Sequence, residues 1–234
     1  MAFGTRSLSG PRLPPARGAA THLVVLCHGY GADGNDLIGL APHWQRVLPT
    51  VAFVAPNGPE RCPGSPGFQW FPIARLDPHE MQRGVEQASG ALNAFLDAEL
   101  ARLELPPERL ALVGFSQGTM MSLAVGLARA VKPAAIVGFS GLLASAGAPE
   151  ALPPDTPPIL MLHGDADDLI PAEAMLASAI SLGAAGAAVQ WHISQGLGHG
   201  IDPVGLEMGG NFLVAALRGA LNRRNAEISC RLSR

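Results

Sequence analysis

Lysine is almost missing from this chain of 234 residues. Lys132 stands alone, every other basic residue is arginine, and together they form no basic stripe or cluster. With a formal net charge of −3, the chain offers no electrostatic footprint for nucleic acid, and that partner class is excluded. Cysteine is scarce too. Cys27, Cys62 and Cys230 are too few and too scattered for a disulfide framework or a zinc site, so no metal is expected. Cys27 lies in an apolar run and reads as an inert buried thiol, whereas Cys62 falls in a Gly/Pro-rich loop where a thiol can be reached. No run approaches the roughly 20 apolar residues that span a bilayer. Residues 1–20 carry arginines but no apolar stretch, so no secretory leader is expected and the chain reads as cytoplasmic.

Hydrophobic residues make up 48% of the sequence, ample for one substantial core. Ala, Gly, Pro and Arg abound beside the single Lys, a bias that reads as a GC-rich bacterial genome. Short apolar runs recur at 22–27, 51–55, 110–115, 134–139, 159–163 and 189–193. Most are continuous rather than alternating, as parallel strands covered on both faces must be. Between them, residues 80–103 place Met81, Val85, Ala88, Leu92, Leu96, Leu100 and Leu103 on one helical stripe, stopped by Pro106 and Pro107. Residues 120–130 are apolar nearly all round, as in a helix packed deep on a sheet, and 206–222 read as a last helix. This alternation predicts an α/β fold: a mostly parallel twisted sheet with right-handed crossovers and helices on both faces. The expected domain runs over 22–222, after an extended or partly disordered lead-in (1–21) and before a patternless polar tail (223–234). Residues 56–79 read as a long structureless segment, whose Phe68, Trp70 and Phe71 need somewhere to pack.

Chemistry concentrates at Gly114-Phe-Ser-Gln-Gly118, between a strand and a helix. This is the G-x-S-x-G nucleophile elbow, where a sharp turn strains the middle residue, excludes neighbouring side chains and exposes the Ser116 oxygen. A serine hydroxyl is a weak nucleophile until a base takes its proton. In elbow-bearing folds the triad runs in chain order Ser, acid, His, which leaves His163, His192 and His199 and lowers His22, His28, His43 and His79. His163 closes a strand and His192 lies within one; His199, in the glycine-rich loop "GLGHGID", is the expected base. The acid should follow the strand at 159–163, and "HGDADDLIP" supplies Asp165, Asp167 and Asp168, among which position does not choose. Donors for an oxyanion are expected from the N–H of Gln117 and, in "CHGYGADGND", from the N–H of Tyr30.

Together, "LCHGYGADGNDL", "PNGPERC", "GFQWF", "GFSQGTMMSL", "GFSGLL", "HGDADDLIP" and "GLGHGI" resemble the phospholipase/carboxylesterase family of small α/β-hydrolases, which includes the acyl-protein thioesterases. The resemblance spans about 21–222 and implies the α/β-hydrolase fold without a separate lid domain. It places the acid on Asp167, with Ile170 standing at a position where the family has valine. It likewise implies Tyr30 and Gln117 as oxyanion donors; the Tyr30 position usually holds leucine, so its ring alters the pocket mouth. It also implies that Trp70, Phe71 and Leu142 border the acyl site.

The expected activity is hydrolysis of carboxylic esters by Ser116, Asp167 and His199 through an acyl-enzyme, on a small-molecule ester or thioester and with no cofactor. Long-chain acyl substrates, as for an acyl-protein thioesterase or lysophospholipase, are the alternative. A dienelactone-type hydrolase would want cysteine where Ser116 stands, and a non-catalytic binding module would lack a triad member. The aromatic loop suits either a homodimer contact or a substrate groove.

Overall fold

A computed structural model of the chain describes residues 7–74 and 77–221. Its strands are β1 (Arg12–Leu13), β2 (His22–Cys27), β3 (Val51–Val54), β4 (Glu60–Arg61), β5 (Phe68–Gln69), β6 (Leu110–Phe115), β7 (Ala135–Phe139), β8 (Ile159–Gly164) and β9 (Val189–Ser194). Its helices are α1 (Gly34–Ile38), α2 (Ala41–Gln45), α3 (Pro78–Arg102), α4 (Gln117–Ala128), α5 (Ala172–Ala184) and α6 (Pro203–Leu217). Seven strands build the main sheet in the order β1-β3-β2-β6-β7-β8-β9, parallel throughout except for β1.

All residues of β2, β3, β7 and β8 are buried, which explains why their sequences run apolar without alternation. The faces divide the side chains. Leu23, Val25 and Leu112 join α3 and α4 in one core; Val24, Leu26 and Val113 join Trp44 of α2 and Phe212 and Leu213 of α6 in another. The expected stripe of α3 is buried from Met81 to Leu100, and Asp77 caps the helix by accepting the Glu80 N–H. The family-implied fold is therefore the observed one.

Three segments differ from the sequence expectation. β1 lies within the lead-in, so the sheet begins ahead of residue 22; Arg12 reaches across to the carboxylate of Glu99, which Arg102 also grips. Helix α5 lies where the apolar pattern marks no element. Its buried Met175, Ser178, Ala179 and Leu182 recur at helical spacing, but the small residues between them weaken the contrast between faces. Residues 56–79 are not structureless: β4 and β5 pair as a small hairpin, and Trp70 and Phe71 are buried beside it. The 223–234 tail and Cys230 lie outside the described residues.

At the opposite end of β2 from Cys27, the His22 Nε2 accepts a hydrogen bond from Arg109 Nη1 at 3.0 Å, which requires a neutral ring. Burial, and then the Arg109 charge, push the His22 pKa from 6.5 down to about 4. The unfolded chain takes up this proton near the ordinary value and the folded chain only near the lowered one. Stability is therefore intact above the ordinary value and drains away as pH falls toward the lowered one. Melting temperatures at about pH 7 and about pH 4.5 should fall further for the wild type than for His22→Gln. Equal falls in the two proteins would remove His22 from the acid sensitivity.

Candidate active site

β6 ends at Phe115 and α4 begins at Gln117, which leaves Ser116 alone to turn the chain. Its backbone pays with φ 54° and ψ −117°, a region that residues with a side chain rarely adopt. The flanking glycines are sterically required. A Cβ on Gly114 would lie 2.3 Å from the Gly118 oxygen, and one on Gly118 only 1.8 Å from the Cys27 oxygen. Hydrogen bonds lock the turn: Ser116 N–H and Thr119 Oγ1 both donate to Phe139 O, each at 2.9 Å. Ser116 Oγ, half-buried, makes no hydrogen bond among the described residues.

Of the three aspartates in the loop after β8, only Asp167 is buried. Its Oδ1 accepts the N–H groups of Leu169 and Ile170 at 3.0 and 2.9 Å, and its Oδ2 lies 2.7 Å from His199 Nδ1. Burial alone would raise its pKa. The Ile170 N–H, the His199 ring and the Leu169 N–H outweigh it, so the carboxyl stays below its ordinary range. An ionised carboxylate can only accept, so His199 donates to it from Nδ1. The His199 ring packs against Phe115, centroid to centroid 5.0 Å, which brings it beside the elbow. No hydrogen bond joins His199 to Ser116 here; in sites without substrate this bond is commonly long and tightens on binding. Asp165 instead accepts the Gly196 N–H, Asp168 is exposed, and His192 stays on β9.

The loop after β2 supplies the other side. A Cβ on Gly29 would meet the Phe115 ring at 3.0 Å and Ser116 Cβ at 3.3 Å, so this backbone passes directly beside the serine. The N–H groups of Tyr30 and Gln117 have no acceptor among the described residues. Gly29, Gly31 and Gly34 share the G-x-G-x-x-G spacing, but the first packs on the elbow and a Cβ on the last would strike Ala55 O at 2.0 Å. That spacing serves internal packing rather than a nucleotide. Cys62, expected within reach of solvent, is buried, as is Cys27.

The three expected wall residues are all buried. Trp70 and Phe71 are 1% and 2% exposed and belong to the core. Trp70 Nε1 donates to His28 O, and the Phe71 ring fills the space that a Cβ on Gly84 would need. Leu142, 7% exposed in that same core, also lines an apolar cleft of about 400 Å³ with Met81, Leu143 and Pro171; Ser116, Asp167 and His199 do not line it. A larger cavity of about 820 Å³, around Arg109, Lys132 and Arg218, contains none of these groups. Among the described residues, no group of three or more His, Cys, Asp or Glu could hold a metal ion, and no helix could cross a membrane.

Three supporting side chains escaped the sequence reading. His28 sets Nδ1 2.7 Å from Gly29 O and accepts the Gly58 N–H on Nε2, so it is neutral with Nδ1 protonated. Gln117 uses its side chain to accept the Trp70 N–H and donate to Phe71 O. His163, read as a strand-end residue, donates from Nε2 to Ile170 O at 2.8 Å and lies 3.0 Å from Asp167 Oδ2. Their glycine-rich and acid-rich surroundings drew attention to backbone and charge, and nothing in the linear order reveals these long-range partners.

The phospholipase/carboxylesterase family model matches residues 10–217. Acyl-protein thioesterase 1 of Gibberella zeae is 30% identical over 220 residues, covering 84% of this chain and 91% of that protein. The enzyme of the same name from Schizosaccharomyces pombe is 33% identical over 171 residues, covering 69% and 75%. A crystal structure of esterase PE8 superposes with a TM-score of 0.84 at 44% identity, covering 89% of this chain and 98% of that one. The carboxylesterase from Mesorhizobium loti, at TM-score 0.73 and 24% identity over 88% and 94%, shares the fold. The chain belongs to the phospholipase/carboxylesterase family of α/β-hydrolases.

Proposed function

We propose that the chain is a serine carboxylesterase in which Ser116 is the nucleophile, His199 the general base and Asp167 its orienting acid. One observation carries the reading: a serine at φ 54° on an elbow, beside a histidine whose Nδ1 is bound to a buried carboxylate. As Ser116 Oγ attacks the acyl carbon, His199 Nε2 takes its proton, and Asp167 stabilises the imidazolium without becoming protonated. The carbonyl oxygen, now negative, is met by the free N–H groups of Tyr30 and Gln117, aided by the positive end of α4. Collapse of the tetrahedral intermediate expels the alcohol, which receives the proton from His199 and leaves an acyl-enzyme. Water then gives a proton to His199 and attacks the acyl carbon. The second collapse releases the acid and returns the proton to Ser116. Every step uses only water and groups of this chain.

Two named relatives are thioesterases, so a long-chain ester or thioester is the second reading. Free Cys27 and Cys62 suit a reducing compartment, and we place the enzyme in the cytoplasm.

Hydrolysis of p-nitrophenyl esters from acetate to palmitate measures both readings. Activity concentrated on short chains supports a small-ester carboxylesterase; activity sustained to palmitate supports the long-chain reading. Ser116→Ala should lower turnover by roughly 10⁶-fold, and a mere tenfold loss would remove Ser116 as nucleophile. Asp167→Asn, which allows the wrong His199 tautomer, should cost roughly 10⁴-fold in kcat. Retention of wild-type kcat would assign the acid elsewhere.

A further inference from the structure

The mechanism leaves unused a buried serine one strand away from the elbow. We propose that Ser140 is a positioning residue that tethers the His199 loop through the carbonyl of Gly200. The proposal rests on the reading of His199 as the base.

Ser140 follows β7 directly and is fully buried. It is one of three described non-glycine residues with positive φ, at 46°; the others are Ser116 and Glu104, the latter at the exit of α3. Glycine holds this conformation without steric cost, and serine does not. What serine adds is a hydroxyl, and Ser140 Oγ donates it to Gly200 O at 3.0 Å, one residue beyond His199. Its own N–H donates to Leu162 O at 2.8 Å, so the backbone that carries this hydroxyl is fixed to the sheet.

The loop it holds runs close against Gly164, where an added Cβ would lie 2.0 Å from Leu197 O and 2.7 Å from Gly198 O, but its own glycines supply no side chain to grip. Gly196, Gly198 and Gly200 punctuate it, and Cβ atoms added at these positions would meet nothing nearer than 3.8 Å. Beside that packing, hydrogen bonds fix it: Gly196 N–H to Asp165, Ala166 N–H to Leu197 O, His199 to Asp167, and Ser140 to Gly200 O. The Asp167 bond sets the tautomer and tilt of the ring, while the Ser140 bond anchors the backbone on its far side. Residues on both sides of Ser140 touch the elbow itself. Phe139 O accepts from Ser116 N–H, and a Cβ on Gly141 would lie 2.8 Å from Ser116 O. One short segment therefore references the histidine loop to the nucleophile turn, and a small error of placement between two reacting groups is kinetically expensive.

The test compares Ser140→Gly and Ser140→Ala with wild type for kcat and KM on a p-nitrophenyl ester and for thermal melting. Glycine relieves the backbone and alanine retains it, but neither has the hydroxyl. Both should lose roughly 10- to 100-fold in kcat with KM within about twofold, and Ser140→Gly should melt at or above the wild-type temperature. Wild-type kcat in both variants would overturn the proposal. So would loss in Ser140→Gly alone, which would mark backbone stiffness as the cause, or a kcat loss matched by collapse of the melting temperature in both. Ser116→Ala and His199→Ala in the same assay keep the two readings apart. If either retains activity, the site reading fails; if both are inactive while the Ser140 variants match wild type, only the tether fails.

Discussion

The first turn of α4 lies so close to β2 that a single methyl group at Gly118 would come within 1.8 Å of the Cys27 carbonyl oxygen. That approach is possible only because Gly114 and Gly118 have no side chains, and Ser116 between them turns the chain at positive φ. The strain is sustained by two buried apolar cores and by the hydrogen bonds converging on Phe139 O. It directs the serine hydroxyl away from the packed interior and toward the carboxyl edge of the sheet, where the loops after β2, β8 and β9 also emerge.

Around this elbow, Asp167, His28 and Gln117 are buried polar groups with hydrogen-bond partners. Asp167 accepts two backbone N–H bonds and the His199 ring bond, which makes an ionised, buried carboxylate tolerable. His28 fastens the Gly29 carbonyl; because that carbonyl and the Tyr30 N–H share one peptide plane and point oppositely, fixing one aims the other. Gln117 ties the aromatic segment to the elbow by its side chain while leaving its own N–H free.

The parallel strands were legible because full burial on both faces writes itself as unbroken apolar runs, and α3 because its stripe repeats cleanly over its length. Helix α5 was not, since alanine and serine serve on either face. Ser116 and His199 could be singled out from turn chemistry and chain order. Asp167 could not be told from Asp165 and Asp168 by spacing, because the choice depends on which carboxylate turns inward, a three-dimensional fact; the family resemblance supplied it. The packing partners of Trp70 and Phe71 were not legible for a different reason. Aromatic residues in an irregular segment announce that they pack, but the sequence does not say against what.

The central claim is that the elbow presents Ser116 Oγ as an activated nucleophile. The most direct measurement is the mass of the intact protein, and of its peptides, after exposure to a fluorophosphonate. The account predicts a single adduct, located on Ser116, that is lost when His199 is replaced by alanine. An unmodified protein, or a label spread over other serines and indifferent to His199, would contradict it and leave an α/β-hydrolase fold without the chemistry.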